Sequence, residues 1–233
     1  MTRDTQDEAR LEPLPRMRAK ARARTAEARK EAASASPAPL SRILTGRSLL
    51  LQEWGAEHLI HELIFRLGDD GDREGVAETP ARVIKSWSTL FGGYGADPAS
   101  VMKTFKQDCD EMVVLRDIEF YSTCEHHMLP FYGKAHVGYL PSGEVVGISK
   151  LARLIEIYAR RLQIQERIGQ QVTEALMLHL KPRGCGVVLE AQHGCMTCRG
   201  VGKQNSVMVT SSMRGAFRDD YKARDEFLRM IGK

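Results

Sequence analysis

Long apolar runs are absent from this sequence of 233 residues. No stretch of about 18 consecutive apolar residues occurs, so we expect no transmembrane helix. The chain begins with polar and charged residues instead of the apolar segment of a secretory signal, and its early acidic residues are untypical of organelle transit peptides. We therefore expect a cytoplasmic protein. The hydrophobic content of 42% is still sufficient for a sizeable core.

Cysteine is present five times, an odd number that does not suit a framework of disulfides. In a reducing compartment, thiols serve as metal ligands or as small buried residues. We interpret Cys109 and Cys185 as core residues. Cys124 and Cys195 stand beside histidines, and we interpret them as candidate ligands.

Positive charge is concentrated at the start of the chain, although the net charge is only +4. Residues 1–41 hold nine Lys or Arg against six Asp or Glu, so the remainder is nearly neutral and does not favour a nucleic-acid partner. Residues 1–40 form a basic tail rich in Ala, Arg and Pro that we expect to be disordered. We assign residues 41–233 to one folded domain, with helices in 41–105 and a core in 106–233.

The hydrophobic pattern predicts an α+β fold with an antiparallel sheet and helices on one face. Helical spacing comes first, in Leu49, Leu50, Trp54, His58, Leu59 and Leu63. Thr79–Pro80 predicts the start of a second helix. Alternating residues then predict strands around 112–120, 135–146, 187–191 and 205–212. Two helices separate the strand pairs, and Ser149 is the predicted N-cap of the first.

Cys124-Glu125-His126-His127 and, much later, His193-Gly194-Cys195 carry the residue types that zinc prefers. Cys124, His127 and Cys195 as three ligands would leave a fourth position for water. His126 and His193 would then be available for proton transfer. The alternative is a structural zinc site with four ligands, in which Cys198 is the fourth. The spacing leaves both arrangements open.

Ser149, Lys150 and Arg153 form a candidate phosphate site, because a helix N-terminus and cationic side chains both attract anions. Arg199, close to Cys195 in sequence, would add a charge nearby. The alternative is that Lys150 and Arg153 are ordinary solvated helix positions. Glu166 is a candidate acceptor for a forked donor such as the N1–H and N2–H pair of guanine.

Taken together, five segments resemble GTP cyclohydrolase I, and the likeness covers about residues 48–232. The segments are Ser122–His127, Gly147–Leu154, Leu162–Arg167, His193–Gly200 and Glu226–Leu228. The resemblance implies a tunnelling fold whose subunits join into an oligomeric barrel, typically a homodecamer of two pentamers. It also implies zinc-dependent hydrolytic opening of the guanine imidazole ring of GTP. Formate and 7,8-dihydroneopterin triphosphate would be released, as the first step of folate or tetrahydropterin biosynthesis.

The same resemblance implies a role for each matching residue. Cys124, His127 and Cys195 would bind Zn²⁺. His126 would protonate the purine N7 during attack of water on C8, and His193 would assist later proton transfers. The triphosphate would be held by Ser149, Lys150, Arg153, Arg199 and, in a neighbouring subunit's pocket, Arg82. Gln165 and Glu166 would bind the guanine.

Two other functions are compatible with parts of this pattern. A binding module held together by four-ligand zinc would use Cys198 and have no catalytic activity. A related tunnelling-fold enzyme would act on a pterin or a deazapurine, but the intact Cys-Glu-His-His run and Glu166 favour GTP.

Overall fold

The computed structural model describes residues 55–233. The predicted tail, the domain boundary at residue 40 and the predicted helical positions Leu49, Leu50 and Trp54 lie outside these residues. Within them no helix is both long and apolar enough to cross a membrane.

The described chain alternates helices and strands in the order that the hydrophobic pattern predicts. The helices are α1 Ala56–Arg66, α2 Thr79–Leu90, α3 Pro98–Val101, α4 Ile148–Ala159, α5 Gln165–His179, α6 Gly194–Thr197, α7 Ala216–Asp219 and α8 Tyr221–Met230, with a 3-10 turn at Gly92–Gly95. The strands are β1 Thr104–Lys106, β2 Val113–Cys124, β3 Pro130–Leu140, β4 Glu144–Val146, β5 Leu162–Gln163, β6 Gly184–His193 and β7 Met208–Gly215.

Five strands form the main sheet in the order β5-β2-β3-β6-β7. The pairs β2/β3, β3/β6 and β6/β7 are antiparallel, whereas the two-residue β5 runs parallel to the end of β2. β1 and β4 form a separate antiparallel pair. The sheet is therefore mainly antiparallel with one short parallel edge, which agrees with the predicted α+β class.

The main core lies between one face of the sheet and the two long helices, α4 and α5. Alternate residues of β3 and β6 face these helices, as expected for strands with one buried face. Its members include Phe120, Phe131, Val137, Val187 and Leu189 from the strands, and Leu151, Leu154, Ile155, Ile168, Val172 and Leu176 from the helices.

A second, smaller cluster covers one end of the opposite face of the sheet. Phe217 and Phe227, from α7 and α8, pack with Val188 and Ile231. Gly138 provides the space, since a Cβ there would lie 2.6 Å from the Phe227 ring. The prediction of helices on one face is therefore correct for α4 and α5 and wrong for the C-terminal helices.

The predicted N-cap role of Ser149 is also wrong. Gly147 precedes the first helical residue, Ile148, and has no side chain to cap the helix. Ser149 lies within the first turn of α4. Its exposed position still leaves it available to a ligand at the helix N-terminus.

Candidate active site

The two candidate ligand segments meet because of the strand order and register. β2 ends at Cys124 and β3 begins at Pro130, so residues 125–129 form a loop at one end of the sheet. β3 pairs with β6 so that Phe131 lies opposite His193. The chain leaving β6 at Gly194 and Cys195 therefore arrives beside this loop.

Cys124, His127 and Cys195 form a group that could hold a metal ion, with one ligand atom from each and all three atoms within 4.8 Å of one another. The Cys124 Sγ lies 3.7 Å from the His127 Nδ1. For tetrahedral zinc with Zn–S of about 2.3 Å and Zn–N of about 2.0 Å, neighbouring ligand atoms lie about 3.5–3.8 Å apart. The observed separation matches this geometry.

Cys198 is not part of this group. Its exposed thiol donates to the Gly194 carbonyl at 2.8 Å, within the single turn of α6. The thiol borders a separate cavity of about 400 Å³, formed with Tyr132, Gln192 and Gln204. The three-ligand alternative is therefore the one that the described residues form.

Gly194 allows the second ligand segment to approach the first. A Cβ at this position would lie 2.7 Å from the Pro130 carbonyl oxygen. Cβ atoms in proteins do not approach other atoms this closely. The backbone contact requires glycine, since a larger residue would push Cys195 away from the loop.

The loop that carries Cys124 and His127 is anchored from both sides. The Cys124 N–H donates to Leu129 O at 2.8 Å, and the Glu125 N–H donates to Gln163 O at 3.0 Å. The Glu125 carboxylate also forms a two-bond ion pair with Arg167 of α5. This pair holds the pKa of Glu125 below its usual value through its hydrogen bonds. The sequence analysis did not predict this ion pair. The feature that could have indicated it is Glu125 itself, an acidic residue inside the candidate ligand motif.

His126 and His127 diverge, as expected for consecutive residues. Their ring planes are inclined by 71° with centroids 6.2 Å apart. His126 is exposed, and its Nδ1 lies 3.9 Å from the Cys124 Sγ, outside the ligand group. The structure therefore places His126 beside the candidate ligand group without including it in the group.

A cavity of about 250 Å³ opens beside the ligand group. Both strand ends and the start of α5 contribute to its wall. The predicted site residues that line it are Cys124, His126, His127, Gln165, Glu166, His193 and Cys195. Seven of the predicted residues are thus brought together around one space. Phe131, Gln163, Ile164 and Met208 complete the wall, and the sequence reasoning did not identify them.

Two contacts hold the His193 ring at the cavity wall. Its ring stacks on Phe131 with centroids 4.5 Å apart and planes inclined by 5°. The His193 Nε2 lies 2.8 Å from the Gln165 Oε1. Burial lowers the pKa of His193, and the negative charge of Glu166 opposes this shift.

The environment of Cys195 is suited to a cation. Burial and the adjacent Cys124 sulfur raise the pKa of the Cys195 thiol, while the Arg199 charge opposes this shift. Two thiols so close together resist simultaneous ionisation, and a bound cation would relieve that repulsion. Arg199 itself is exposed and does not line the cavity.

The other predicted phosphate residues lie away from this cavity within one chain. The C-terminal end of α4 is at the ligand end of the sheet, where Ser122 Oγ donates to Ala159 O at 2.7 Å. Ser149 is ten residues earlier, about 15 Å along the helix. The N-terminal end of α4 instead follows Val146, whose N–H donates to the Tyr139 hydroxyl. Tyr139 is about 26 Å along β3 from Phe131.

Arg82 is exposed on α2, where it forms an ion pair with Glu78. It does not line the cavity of the same chain. One chain therefore assembles the three candidate metal ligands, the two histidines predicted for proton transfer and Glu166. It does not assemble Ser149, Lys150, Arg153 or Arg82 with them.

Comparison with known proteins decides the family. The family model described as GTP cyclohydrolase I matches residues 56–232. The chain belongs to the GTP cyclohydrolase I family. It is therefore an enzyme, and the reaction of this family is the conversion of GTP to dihydroneopterin triphosphate.

Individual relatives are similar in sequence to this chain over nearly their whole lengths. A GTP cyclohydrolase 1 of Wolinella succinogenes is 56% identical over 177 residues, which are 75% of this chain and 95% of the relative. One from Methylococcus capsulatus is 51% identical over 179 residues, covering 76% and 97%. The apo structure of an archaeosine synthase QueF-Like covers 45% of this chain and 93% of its own at 18% identity. The TM-score between the two structures is 0.36.

Proposed function

We propose that this GTP cyclohydrolase I is zinc-dependent and that Cys124, His127 and Cys195 are the zinc ligands. The observation that carries the proposal is a group of three candidate ligands at a cavity that His126, His193 and Glu166 also line. Two thiolates and one imidazole suit zinc better than they suit harder cations such as Mg²⁺. The site therefore fits the ion that the family implies.

Three protein ligands give a catalytic arrangement, because a fourth position stays available. When bound, zinc supplies Lewis-acid activation of water at neutral pH. The exposed His126 lies beside the ligands and can donate a proton to the purine N7 as the imidazole ring opens at C8. His193, which also lines the cavity, serves the later proton transfers that accompany loss of formate and rearrangement of the ribose.

Glu166 is the side chain that we assign to guanine recognition. It is exposed, lies in the first turn of α5 and borders the cavity. Its two carboxylate oxygens can accept the parallel N1–H and N2–H donors of guanine. Gln165 also borders the cavity, but its amide N–H groups are already bonded to β6 and β7.

We propose that the triphosphate is bound between subunits. Arg199 follows the ligand Cys195 by four residues in the same chain. Ser149, Lys150 and Arg153 lie at the other end of the sheet, so a neighbouring copy must present them, together with Arg82, to complete the pocket. The α4 N-terminus and these cationic side chains suit a polyphosphate.

The two edges of the sheet support such an assembly. On one edge, β5 covers only Thr123 and Cys124 of the 12-residue β2. On the other edge, β7 pairs with β6 alone among the described strands, and its neighbourhood exposes Val207 and Val209. Long unpaired edges with exposed apolar residues favour pairing with another sheet. We propose that copies join edge to edge into a barrel, as a homodecamer.

The reaction test is direct. Pure protein loaded with zinc and incubated with GTP should release formate and give a product that becomes a fluorescent pterin after oxidation. Protein stripped with a chelator should lose this activity and regain it with Zn²⁺. Full activity after complete removal of metal would contradict the zinc proposal while leaving the family assignment intact.

The shared pocket can be tested by mixing two inactive variants. His126→Ala removes the acid–base residue from one wall, and Lys150→Ala removes the phosphate cation from the other. If neighbouring copies share each pocket, random mixing of equal amounts leaves about one pocket in four with both wild-type residues. The mixture should then recover about a quarter of the wild-type activity. Each variant alone, or a mixture that cannot exchange subunits, should stay inactive. No recovery in a mixture shown to exchange subunits would contradict a pocket that combines His126 of one copy with Lys150 of another.

We further propose a cytoplasmic enzyme with GTP as its ligand and no membrane or nucleic-acid partner. Its product has a dihydropterin ring and a triphosphate chain. The enzyme therefore precedes reactions that build folate or a tetrahydropterin.

A further inference from the structure

Gln165 is almost fully buried, with 1% of its surface exposed, although it is the first residue of α5. Its side-chain Nε2 donates to Leu189 O at 3.0 Å, to Met208 O at 3.0 Å and to Thr210 Oγ1 at 3.1 Å. Two of these acceptors are carbonyl oxygens, which can only accept. The amide is therefore oriented in one way, because the reverse orientation would place its own oxygen against two carbonyls.

This orientation decides the protonation pattern of His193. The Gln165 Oε1 faces the His193 Nε2 at 2.8 Å. A carbonyl oxygen accepts hydrogen bonds and does not donate them, so the His193 Nε2 must carry the hydrogen. In the neutral imidazole the other nitrogen, Nδ1, is then the acceptor.

The His193 ring has little freedom to rotate away from the Gln165 oxygen. It stacks on Phe131, which is fully buried. Rotation by 180° would replace the Nε2 donor with a carbon and leave the Gln165 oxygen without a partner. No group within residues 55–233 forms a hydrogen bond with the His193 Nδ1, and His193 borders the cavity.

We propose that Gln165 is a positioning residue that holds His193 as the Nε2–H tautomer and so presents Nδ1 as an acceptor to a ligand in the cavity. The inference rests on the proposed role of His193 in proton transfer. It replaces the predicted contact between the Gln165 amide and guanine. Carbonyl partners that orient an imidazole in this way occur behind many catalytic and metal-binding histidines.

A double-mutant cycle on zinc-loaded enzyme tests this role. Gln165→Leu should lower kcat for formate release by about 10- to 100-fold with a smaller change in KM. His193→Ala should lower kcat by about 10²- to 10⁴-fold. If Gln165 acts through His193, adding Gln165→Leu to the His193→Ala variant causes no further loss. The same fold loss in both backgrounds would overturn the inference.

Gln163 provides a matched control. It has the same side chain and the same 1% exposure, and it also lines the cavity, but it bonds to Tyr158 O and Gln171 instead of His193. Any loss caused by Gln163→Leu should persist unchanged in the His193→Ala background. Coupling of Gln163 to His193 as strong as that of Gln165 would show that the cycle reports packing rather than positioning.

Two further measurements do not depend on Gln165→Leu folding well. Thr210→Val removes one of the three acceptors, and it should give a smaller loss that also disappears in the His193→Ala background.

Neutron diffraction of deuterated wild-type enzyme should show a deuteron on the His193 Nε2. A deuteron on Nδ1 alone would refute the proposed tautomer. Full activity of His193→Ala would instead refute the proposed role of His193 and leave the tautomer assignment standing.

Discussion

Glu125 and Arg167 join the metal-ligand loop to helix α5 through two parallel hydrogen bonds, one of them at 3.1 Å. The pair connects a residue between two proposed ligands with the helix that carries Glu166. It therefore sets the position of the loop relative to the side of the cavity that Glu166 lines. Both side chains are partly exposed, so the ion pair should act by orientation more than by adding stability.

We predict that Glu125→Ala weakens zinc binding although it removes no ligand. Loss of a residue that orients ligands typically lowers metal affinity by about 10- to 100-fold. Competition with a chromophoric chelator would measure the change. Glu174→Ala is the control, because it breaks the Arg214–Glu174 ion pair without touching the loop, and should leave zinc affinity unchanged. Wild-type affinity in Glu125→Ala would mean that backbone hydrogen bonds suffice to hold the loop.

Cys195 and Cys198 should respond differently to the same substitution. Cys195→Ser removes a ligand, so we expect loss of bound zinc and of turnover after dialysis. Cys198→Ser should keep one zinc per chain and most of the activity, because among residues 55–233 its thiol bonds only to Gly194 O. Metal analysis together with the formate assay measures both. Loss of zinc from Cys198→Ser would restore the four-ligand alternative.

His126→Ala should separate metal binding from catalysis. The side chain lies beside the ligand group without belonging to it. We therefore expect a wild-type zinc content and a kcat about 10²- to 10⁴-fold lower, as is typical when a general acid is removed. Should this variant lose its zinc, the ligand assignment of His127 over His126 would be wrong.

His136, on the opposite face of the sheet from α4 and α5, should make stability depend on pH. Its side chain is buried, and its Nδ1 accepts the Asp117 N–H at 3.2 Å. Burial lowers the pKa of His136. Asp117 and Glu190 oppose the shift, and the Lys233 charge adds to it. Because the folded pKa lies below the unfolded value of about 6.5, the stabilising contribution is complete above pH 6.5. It declines as the pH falls from there towards the folded pKa.

The slope of the loss within that window is at most about 1.4 kcal/mol per pH unit. Urea unfolding in the presence of a chelator, at pH 8.0 and pH 5.5, excludes metal release as the cause. His136→Gln keeps an acceptor for the Asp117 N–H but does not titrate, so its stability should fall less between the two pH values. Equal pH dependence in both proteins would exclude His136 as the source.

Local sequence determined the chemistry of the ligands. A cysteine and a histidine three residues apart, followed by His-Gly-Cys after an alternating strand, predict a soft-ligand metal site with spare histidines. The spacing could not choose between three ligands and four. That choice depends on α6, whose single turn brings the Cys198 thiol to the Gly194 carbonyl.

Helix and strand periodicity likewise predicted the α+β class, because burial of one face imposes a period that sequence displays directly. The same periodicity did not predict where the C-terminal helices α7 and α8 pack. Their apolar residues reveal which side of each helix is buried, but not which face of the sheet receives it. Gly138 and Gly186 leave space on the face away from α4 and α5, and Phe227 occupies it.

The sequence alone determined which residue types are present and how far apart they lie along the chain. Only the tertiary structure decided which of them meet, because the pairing of Phe131 with His193 joins segments more than sixty residues apart. The same long-range packing buried Gln165 behind His193 and carried Ser149, Lys150 and Arg153 to the far end of the sheet. Distances in space depend on strand register and helix direction, and no local pattern encodes them.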